Sequence, residues 1–433
     1  MELTIHRGTH EVGGTCIEVA TDSSRLILDV GMPLFGPDRE ALDTWSLRRK
    51  TKAELQDEGI LPRIPGLFNE GPTVDAILLS HAHMDHTGLL EYSNDDIPIY
   101  ASRGTSKMMK AGAVFAAQTE LPRDRFHELA ATEPVRIGDC EVTGFDVDHS
   151  IYGAMAFLIE AERKTILYSG DLRLHGRKPG MTKRLLQSVQ DRTVDALLME
   201  GTHFGLTTDN PIGEYDLEED IVAHIKQSTG LILASFSPQN VDRLVGFIRA
   251  AKRTDRMFVA DVYTAFVMHL IASQTNVPHP LRDDDIRVYY PQSFCRSYKR
   301  RNRKRFHDQF LPCRIELEQI RAEPCRYVVL FRPSMLDPDF RGNLPVHARC
   351  LYSYWSGYLK NPDWQQTQAA LRSVNGDLIQ VHATGHILED DIVAFVEAVS
   401  PQTVIPVHTF EPDAFAAYFD NVTTVSDGRA FTL

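Results

Sequence analysis

Four side chains that can bind metal ions lie within one short segment, His81-Ala82-His83-Met84-Asp85-His86. The segment follows the apolar run 74–79, which predicts a buried strand that leads into a loop. Such a loop can point His81 and His83 at one ion, and Asp85 and His86 at a second. Imidazole and carboxylate groups suit zinc. The alternative interpretation is a polar surface loop with incidental histidines, and the occurrence of four potential ligands in six residues argues against it.

Two metal ions need about six or seven protein ligands, so others must come from distant parts of the chain. Three candidates each follow a predicted strand: His149 after 141–147, Asp171 after 165–168 and His408 after 403–407. A single histidine after a strand is more often structural. These three residues gain weight because they occur in this order behind the first segment.

The pattern of apolar residues predicts two kinds of architecture along the chain. Short strands separated by Gly, Asp and Ser turns come first, beginning with 3–7, 17–20 and 25–28. From residue 205 onwards helices and strands alternate, as in a parallel α/β sheet. We therefore predict an α/β fold in which a domain at 205–374 is inserted between two parts, 1–204 and 375–433, of another domain.

Composition restricts the class of protein. The chain has 433 residues, 43% hydrophobic and 24% charged, with a net charge of −13, and this length suits two domains or one elaborated domain. No apolar run reaches the roughly 18 residues of a membrane helix, and the N-terminus lacks the pattern of a secretion signal. The six cysteines are widely spaced and form no C-x-x-C pair, which favours a cytoplasmic location and argues against thiolate ligands.

One segment departs from this acidic character. The ten residues from Arg296 to Arg305 carry seven positive charges and lie inside the predicted insertion. Such a segment attracts a nucleic-acid backbone, and Tyr298 and Phe306 are suited to stacking on bases. The alternative is a solvated, charged loop or helix face.

The ligand motifs together resemble those of a known fold. The segments His81 to Gly88, Asp148-His149-Ser150, Ser169-Gly170-Asp171 and Pro406-Val407-His408 are similar, in this order, to the motifs of the metallo-β-lactamase fold. The resemblance implies an αββα sandwich with the metals at one edge. Asp29, in Leu28-Asp29-Val30-Gly31, resembles the acidic residue that supports the histidine loop in that fold.

The predicted insertion resembles that of the β-CASP branch, whose members process RNA or DNA. Three further motifs of this branch are matched by Glu200 in Leu198-Met199-Glu200-Gly201-Thr202, by His386 in Ala383-Thr384-Gly385-His386 and by His408. The turn before His386 resembles the Ser-Gly-His of ribonuclease J-like enzymes, with Thr384 in place of serine. Two stretches, 332–335 and 352–358, match no ribonuclease J motif.

The resemblance implies a division of the metal ligands. It assigns His81, His83 and His149 to one zinc ion. It assigns Asp85, His86 and His408 to the other, with Asp171 bridging both, and manganese is the alternative metal. Two such metals can lower the pKa of a shared water to about 7, so that a hydroxide attacks phosphorus.

Asp85, Glu200 and His386 are the catalytic candidates. By resemblance, His386 lies beside the scissile phosphate and assists the departing 3′ oxygen, and the alternative is a residue that only begins the next helix. Glu200 either orients a ligand histidine or is an exposed carboxylate at a strand end. Substrate contacts are predicted for Ser235, Ser237, Gln239, Arg243 and Thr384. For the first four, the alternative is helix capping with a solvated arginine.

Three functions remain open. The insertion and the basic segment favour a nuclease that acts on single-stranded RNA, with single-stranded DNA as the alternative partner. A small-molecule hydrolase of the same fold would need neither feature. A non-catalytic RNA-binding scaffold would lack metal ligands, and every expected ligand position is filled here. No membrane is expected as a partner, and a homodimer is the candidate assembly.

Overall fold

The computed structural model describes residues 1–206, 212–301 and 308–433. The chain divides into two compact units. The first comprises Met1–Lys110, Gln118–Asn210 and Gly385–Leu433, and the second comprises Ala111–Ala117 and Pro211–Thr384. Most of the basic segment, including Tyr298 and Phe306, lies outside the residues and side chains that the structure describes. Within the described ranges, no helix has the length and apolar composition that crossing a membrane requires.

Two sheets form the centre of the first unit. The seven-stranded sheet has, in spatial order, β19 (Ala430–Thr432), β1 (Glu2–Arg7), β2 (Cys16–Ala20), β3 (Arg25–Leu28), β4 (Ala76–Leu79), β5 (Ile99–Ala101) and β6 (Phe126–Glu128). The six-stranded sheet has, in spatial order, β18 (Thr403–Val407), β11 (Ala196–Glu200), β10 (Lys164–Tyr168), β9 (Met155–Ala161), β8 (Cys140–Asp146) and β7 (Pro134–Ile137).

Alternating side chains pack these two sheets against each other. Along β3, Leu26 and Leu28 join a core that also contains Phe157 and Ile166 of the second sheet. Ile27, between them, packs into a different core on the opposite face. Such alternation follows from the two-residue period of a strand that is buried on both faces. The sheets are therefore the two inner layers of a sandwich.

Helices cover the outer faces. The helices of this unit are α1 (Thr44–Leu47), α2 (Lys52–Asp57), α3 (Met84–Thr87), α4 (Arg103–Phe115), which runs into the second unit, α5 (Gly180–Val189) and α12 (Glu389–Val399). Leu55 of α2 packs on the first sheet. Leu185 of α5 and Phe395 of α12 pack on the second sheet. The first unit is thus an αββα sandwich. The stretch 32–72 looks irregular in the sequence, but it contains α1 and α2.

The second unit is built on one parallel sheet. Its strands, in spatial order, are β14 (Ile286–Tyr289), β13 (Met257–Asp261), β15 (Tyr327–Leu330), β12 (Ile232–Ser235), β16 (Arg349–Tyr352) and β17 (Asp377–Gln380). Its helices are α6 (Glu214–Lys226), α7 (Val241–Lys252), α8 (Val262–Ile271), α9 (Gln292–Arg301), α10 (Leu317–Ala322) and α11 (Pro362–Ser373).

Both faces of this parallel sheet are buried. Ala234 of β12 joins a core with Phe247 of α7, while its neighbour Leu233 joins another core with Trp364 of α11. Parallel strands that are covered on both sides read as continuous apolar runs, which is why the alternation of helices and strands is visible in the sequence. The unit is a doubly wound α/β domain.

Candidate metal centre

The predicted ligands meet at one edge of the first unit. His81 follows β4 through Ser80, and His149, Asp171 and His408 lie just beyond β8, β10 and β18. The strands β10 and β18 both pair in parallel with β11, so their carboxyl ends lie at the same edge of the sheet. This topology brings together residues that are distant in sequence.

Three histidines form the first ligand group. The Nδ1 atom of His83 lies 3.0 Å from Nε2 of His81 and 3.1 Å from Nε2 of His149. His149 donates its Nδ1–H to the carbonyl of Gly385 at 2.6 Å, so its Nε2 carries a lone pair. Ser80 donates its hydroxyl to Asp29 and therefore accepts from Nδ1 of His81 at 3.0 Å. Lone pairs that converge in this way are what a metal ion requires.

Four buried residues form the second group: Asp85, His86, Asp171 and His408. His86 Nε2 lies 3.1 Å from Asp171 Oδ2, and His408 Nε2 lies 3.3 Å from Asp85 Oδ2. The Oδ2 atom of Asp171 is also 3.6 Å from His81 Nε2 and 3.9 Å from His149 Nε2. Asp171 therefore lies within 4.0 Å of nitrogen atoms from both groups.

Unsatisfied atoms show that this donor set fits divalent metal ions. Among the described residues, Nε2 of His86 and both carboxylate oxygens of Asp171 are buried without a hydrogen-bond partner. Buried polar atoms are normally paired, since leaving one unpaired costs about 1–3 kcal/mol. Histidine nitrogens and carboxylate oxygens are the usual ligands of zinc and related ions. The two groups can therefore hold metal ions.

The electrostatics of the pocket favour this use. Burial lowers the pKa of His83 to about 4 and the pKa values of His81 and His149 well below 6.5, which keeps these rings neutral. Burial also acts to lower the pKa of His86, but the carboxylates of Asp171 and Asp29 outweigh it and raise that pKa. The second group therefore favours a cation, either a proton or a metal ion.

Asp29 lies where the sequence predicts a supporting residue. It is fully buried, and its Oδ2 accepts from His86 Nδ1 at 2.9 Å and from the hydroxyl of Tyr168 at 2.7 Å. Its Oδ1 accepts from the backbone N–H of Ser80 at 2.8 Å. Because Nδ1 of His86 donates to the carboxylate, its Nε2 is left to bind a cation. Asp29 adopts a left-handed backbone conformation with φ of 57°, which aspartate tolerates better than most residues.

Thr202 also contacts the site, although none of the sequence motifs marks it as a site residue. Its hydroxyl donates to Glu200 Oε2 at 2.8 Å and therefore accepts from Nδ1 of His408 at 2.9 Å. Glu200 is thus linked to His408 through Thr202, and its role in orienting a ligand histidine stays a prediction. The carboxylate is buried, not an exposed strand end. The available signal was the position of Thr202, two residues after the matched glutamate.

His386 contacts the same carboxylate oxygen of Glu200 as Thr202 does. Its Nδ1 donates to Glu200 Oε2 at 3.1 Å and lies 3.6 Å from Asp171 Oδ2. Burial acts to lower the pKa of His386, but Glu200 and Asp171 outweigh it and raise the pKa to about 9. The His386 side chain is 21% exposed, against 1% for Glu200, so His386 is accessible from solvent and Glu200 is not.

Arg173 is a second missed residue. Its side chain is fully buried, and its Nε donates to Asp148 Oδ1 at 3.3 Å. The other oxygen of Asp148 accepts from the backbone N–H of Lys178 at 2.7 Å. Asp148 and Arg173 each lie beside a ligand, next to His149 and two residues after Asp171. They brace the two ligand-bearing segments against each other.

The predicted substrate contacts belong to the second unit, and the structure corrects two of them, Arg243 and Ser235. Arg243 is fully buried and donates to Glu214, Ser353 and the carbonyls of Val381 and Ala383. Its donors are therefore used inside the protein, and the arginine is neither a substrate contact nor a solvated side chain.

The other predicted contacts are placed in different ways. Ser235 is also fully buried and donates to the carbonyl of Phe331 at 3.0 Å. Ser237 accepts from the backbone N–H of Gln239 at 3.4 Å, in the turn before Asn240, which caps α7. Thr384 is the last residue of the second unit. For Ser237, Gln239 and Thr384, substrate contact stays a prediction.

Comparisons with known proteins agree with this architecture. A model of the Beta-lactamase superfamily domain matches residues 55–228. A solved structure of a protein of unknown function from Enterococcus faecalis superposes on the whole chain with a TM-score of 0.77 at 20% identity, covering 99% of that protein. The fold class predicted from the sequence, a metallo-β-lactamase sandwich with an inserted α/β domain, is confirmed.

Curated relatives carry ribonuclease names. The chain is 28% identical over 221 residues to Probable RNase MJ4 of Methanocaldococcus jannaschii, covering 47% of this chain and 46% of that protein. It is 25% identical over 262 residues to Ribonuclease J of Mycolicibacterium smegmatis, covering 58% and 42%. The matches thus span about half the length of these relatives. The resemblance to ribonuclease J-like proteins of the metallo-β-lactamase fold is confirmed.

Proposed function

We propose that this protein is a dinuclear, zinc-dependent nuclease that hydrolyses phosphodiester bonds of RNA, with single-stranded RNA as the favoured substrate. The observation that carries the proposal is the pair of buried ligand groups that face the shared carboxylate of Asp171. Ribonuclease names among the relatives support RNA as the substrate. When bound, two zinc ions, or manganese in their place, would activate water and neutralise charge on the phosphoryl oxygens.

The residues of the chain divide the remaining work. Asp171 holds the two ligand groups at a fixed separation, since its Oδ2 lies within 4.0 Å of nitrogen atoms from both. Asp29 and the Glu200–Thr202 pair fix the ring orientations of His86 and His408. These contacts keep the ligand atoms in place before substrate binds, which is the basis of electrostatic preorganisation.

His386 is the candidate proton donor to the leaving 3′ oxygen. Because Nδ1 donates to Glu200, the ring turns its Nε2 away from the glutamate. A raised pKa of about 9 keeps the ring protonated at neutral pH, so Nε2–H can give its proton as the P–O bond breaks. Glu200 then stabilises the ring through Nδ1 and holds its orientation.

Partners and location follow from the same proposal. Single-stranded DNA is the alternative polymer, a homodimer is the candidate assembly, and no membrane partner is expected. We place the protein in the cytoplasm, where reducing conditions suit its cysteines, none of which forms a disulfide in the described structure.

The test uses single-stranded RNA and the matching DNA, each labelled at the 5′ or 3′ end, with added Zn²⁺ or Mn²⁺. The control is the double variant Asp85→Ala/His86→Ala, which removes two ligands of the second group. We expect the wild type to cleave RNA and the control to be inactive. Single nucleotides released from the 5′ end would identify an exonuclease, and internal fragments an endonuclease.

Two outcomes would contradict the proposal. Cleavage of DNA but not RNA would show that DNA, and not RNA, is the substrate. If fully metal-loaded protein cleaves neither RNA nor DNA, a small-molecule hydrolase of the same fold becomes the better assignment.

A further inference from the structure

The inserted unit contains a fully buried arginine whose five N–H donors are all engaged. Arg243 pairs with Glu214 through Nε at 3.3 Å and Nη2 at 3.1 Å. Its Nη1 donates to Ser353 Oγ and, at 3.5 Å, to the carbonyl of Val381. Its Nη2 also donates to the carbonyl of Ala383 at 3.1 Å. A planar guanidinium can hold an acid and several carbonyls at once because its donors are fixed in a fork.

The two carbonyls belong to a segment that has no regular structure of its own. The last sheet bond of this segment runs from the N–H of Val381 to the carbonyl of Tyr352 at 2.8 Å. Residues 381–388, between β17 and α12, form neither helix nor strand. The path of the backbone therefore depends on tethers from side chains, and Arg243 supplies two of them.

The other end of the same segment lies in the metal centre. The carbonyl of Gly385 accepts from Nδ1 of His149, and the next residue, His386, donates to Glu200. The approach at Gly385 is close, since a Cβ there would lie 2.8 Å from Ser150 Oγ and 3.2 Å from His149 Cε1. A small shift of this backbone would move the acceptor of a ligand histidine and the ring of His386 together.

We propose that Arg243 is a positioning residue of the metal centre, which acts through the backbone of residues 381–386 on His149 and His386. Only two residues, Thr384 and Gly385, separate Ala383 from His386, so a displacement of the Ala383 backbone is transmitted to His386 along a short covalent path. Only the kinetic part of the inference rests on the proposed function.

The test variant is Arg243→Lys. Lysine keeps a positive charge beside Glu214, which avoids a stranded buried carboxylate. Its three donors lie on a single nitrogen, so it cannot reproduce the five hydrogen bonds that the planar guanidinium makes to Glu214, Ser353 and the two carbonyls. The matched control is Arg256→Lys. Arg256 also tethers carbonyls of the second unit, those of Gly230 and Ser228, but they precede β12 and lie far along the chain from His386.

Two measurements do not depend on catalysis. The first is hydrogen exchange of the metal-free protein over residues 381–388. The second is the visible absorption spectrum of protein loaded with Co²⁺, which reports the geometry of histidine ligands. We expect Arg243→Lys to exchange at least tenfold faster in this segment and to alter the cobalt spectrum, while Arg256→Lys matches the wild type. If RNA is cleaved, we also expect kcat to fall about tenfold with little change in KM.

If folded Arg243→Lys shows the hydrogen-exchange rate of the wild type over residues 381–388 and an unchanged cobalt spectrum, the inference is overturned. Equal changes in Arg256→Lys would also overturn it, because the effect would then reflect a general loss of stability of the second unit. If Arg243→Lys does not fold, Ser353→Ala gives the same test, since Ser353 accepts from Arg243 and donates to the carbonyl of Val381. Absence of RNA cleavage by the wild type would contradict the proposed function but would leave both measurements valid.

Discussion

The Nδ1 atom of His86 donates to Asp29 at 2.9 Å, and the same carboxylate oxygen accepts the hydroxyl of Tyr168 at 2.7 Å. We predict that Asp29→Asn lowers metal affinity of the second ligand group by about 10- to 100-fold. An amide has one oxygen, so it cannot accept from Ser80 N–H on one side and from His86 on the other.

The measurement is a competition titration of zinc against a coloured chelator. Tyr168→Phe is the matched comparison, because it removes one donor to Asp29 and leaves the His86 contact intact. An equal loss of affinity in both variants would mean that His86 is not the residue through which Asp29 acts.

Metal content follows from the two ligand groups. We predict two zinc ions per wild-type chain and one ion in Asp85→Ala, because that variant keeps the group of three histidines intact. We also predict that a chelator abolishes activity and that added Zn²⁺ or Mn²⁺ restores it. Elemental analysis of dialysed protein measures this directly. A single ion in the wild type would show that only one group is a metal site.

Two neighbouring histidines should differ in their effect on turnover. The rings of His386 and His203 lie 6.2 Å apart. Burial lowers the pKa of His203 to about 4, whereas the carboxylates near His386 overcome burial and raise its pKa to about 9. We predict that His386→Gln lowers kcat for RNA by about 10²- to 10⁴-fold, as expected for a general acid.

His203→Gln is the control, and it should change kcat by less than about tenfold, because a neutral ring cannot donate the proton. Single-turnover cleavage of labelled RNA, with metal content measured for each variant, separates the two. Equal losses in kcat with full metal content would contradict the role given to His386.

Acid sensitivity is predicted at a site away from the metal centre. Burial acts to raise the pKa of Glu18, but hydrogen bonds from His6 and Arg25 outweigh it and lower the pKa to about 2. A lowered pKa in the folded state stabilises the protein above the ordinary value of 4.5, and this contribution is lost as the pH falls from 4.5 towards 2.

We predict that Glu18→Gln destabilises the protein by about 1–2 kcal/mol at pH 7 and by much less at pH 3. Urea unfolding at both pH values measures the difference, with Glu2→Gln, at an exposed position of β1, as the control. An equal loss at both pH values would indicate a packing effect and not a charge effect.

The convergence of the candidate ligands could be predicted because metal binding depends on residue type. His81, Asp85 and Asp171 can be identified by their side-chain chemistry and by their positions after apolar strands. The structure brings them together. The inserted α/β unit was visible for a similar reason, since a parallel sheet covered on both faces requires apolar runs that alternate with helices. The short stretch Ala111–Ala117 carries no such signal, and its place in the second unit is set by tertiary packing.

The supporting residues could not be predicted because their roles depend on partners far along the chain. Arg243 acts on the carbonyl of Ala383, 140 residues away, and Thr202 acts on His408, 206 residues away. An arginine near the start of a helix looks like a solvated side chain or a phosphate ligand until its neighbours are known. The same limit applies to Arg173, whose partner is the carboxylate of Asp148.

The second ligand group joins Asp85 to His408 across 323 residues of sequence. A chain that is still being synthesised therefore lacks this group until residue 408 has left the ribosome. At typical rates of about 5–20 residues per second, the delay after Asp85 is roughly 16 to 65 s. For a proposed ribonuclease, this order of synthesis means that the complete site is absent while most of the messenger RNA that encodes the protein is still being translated.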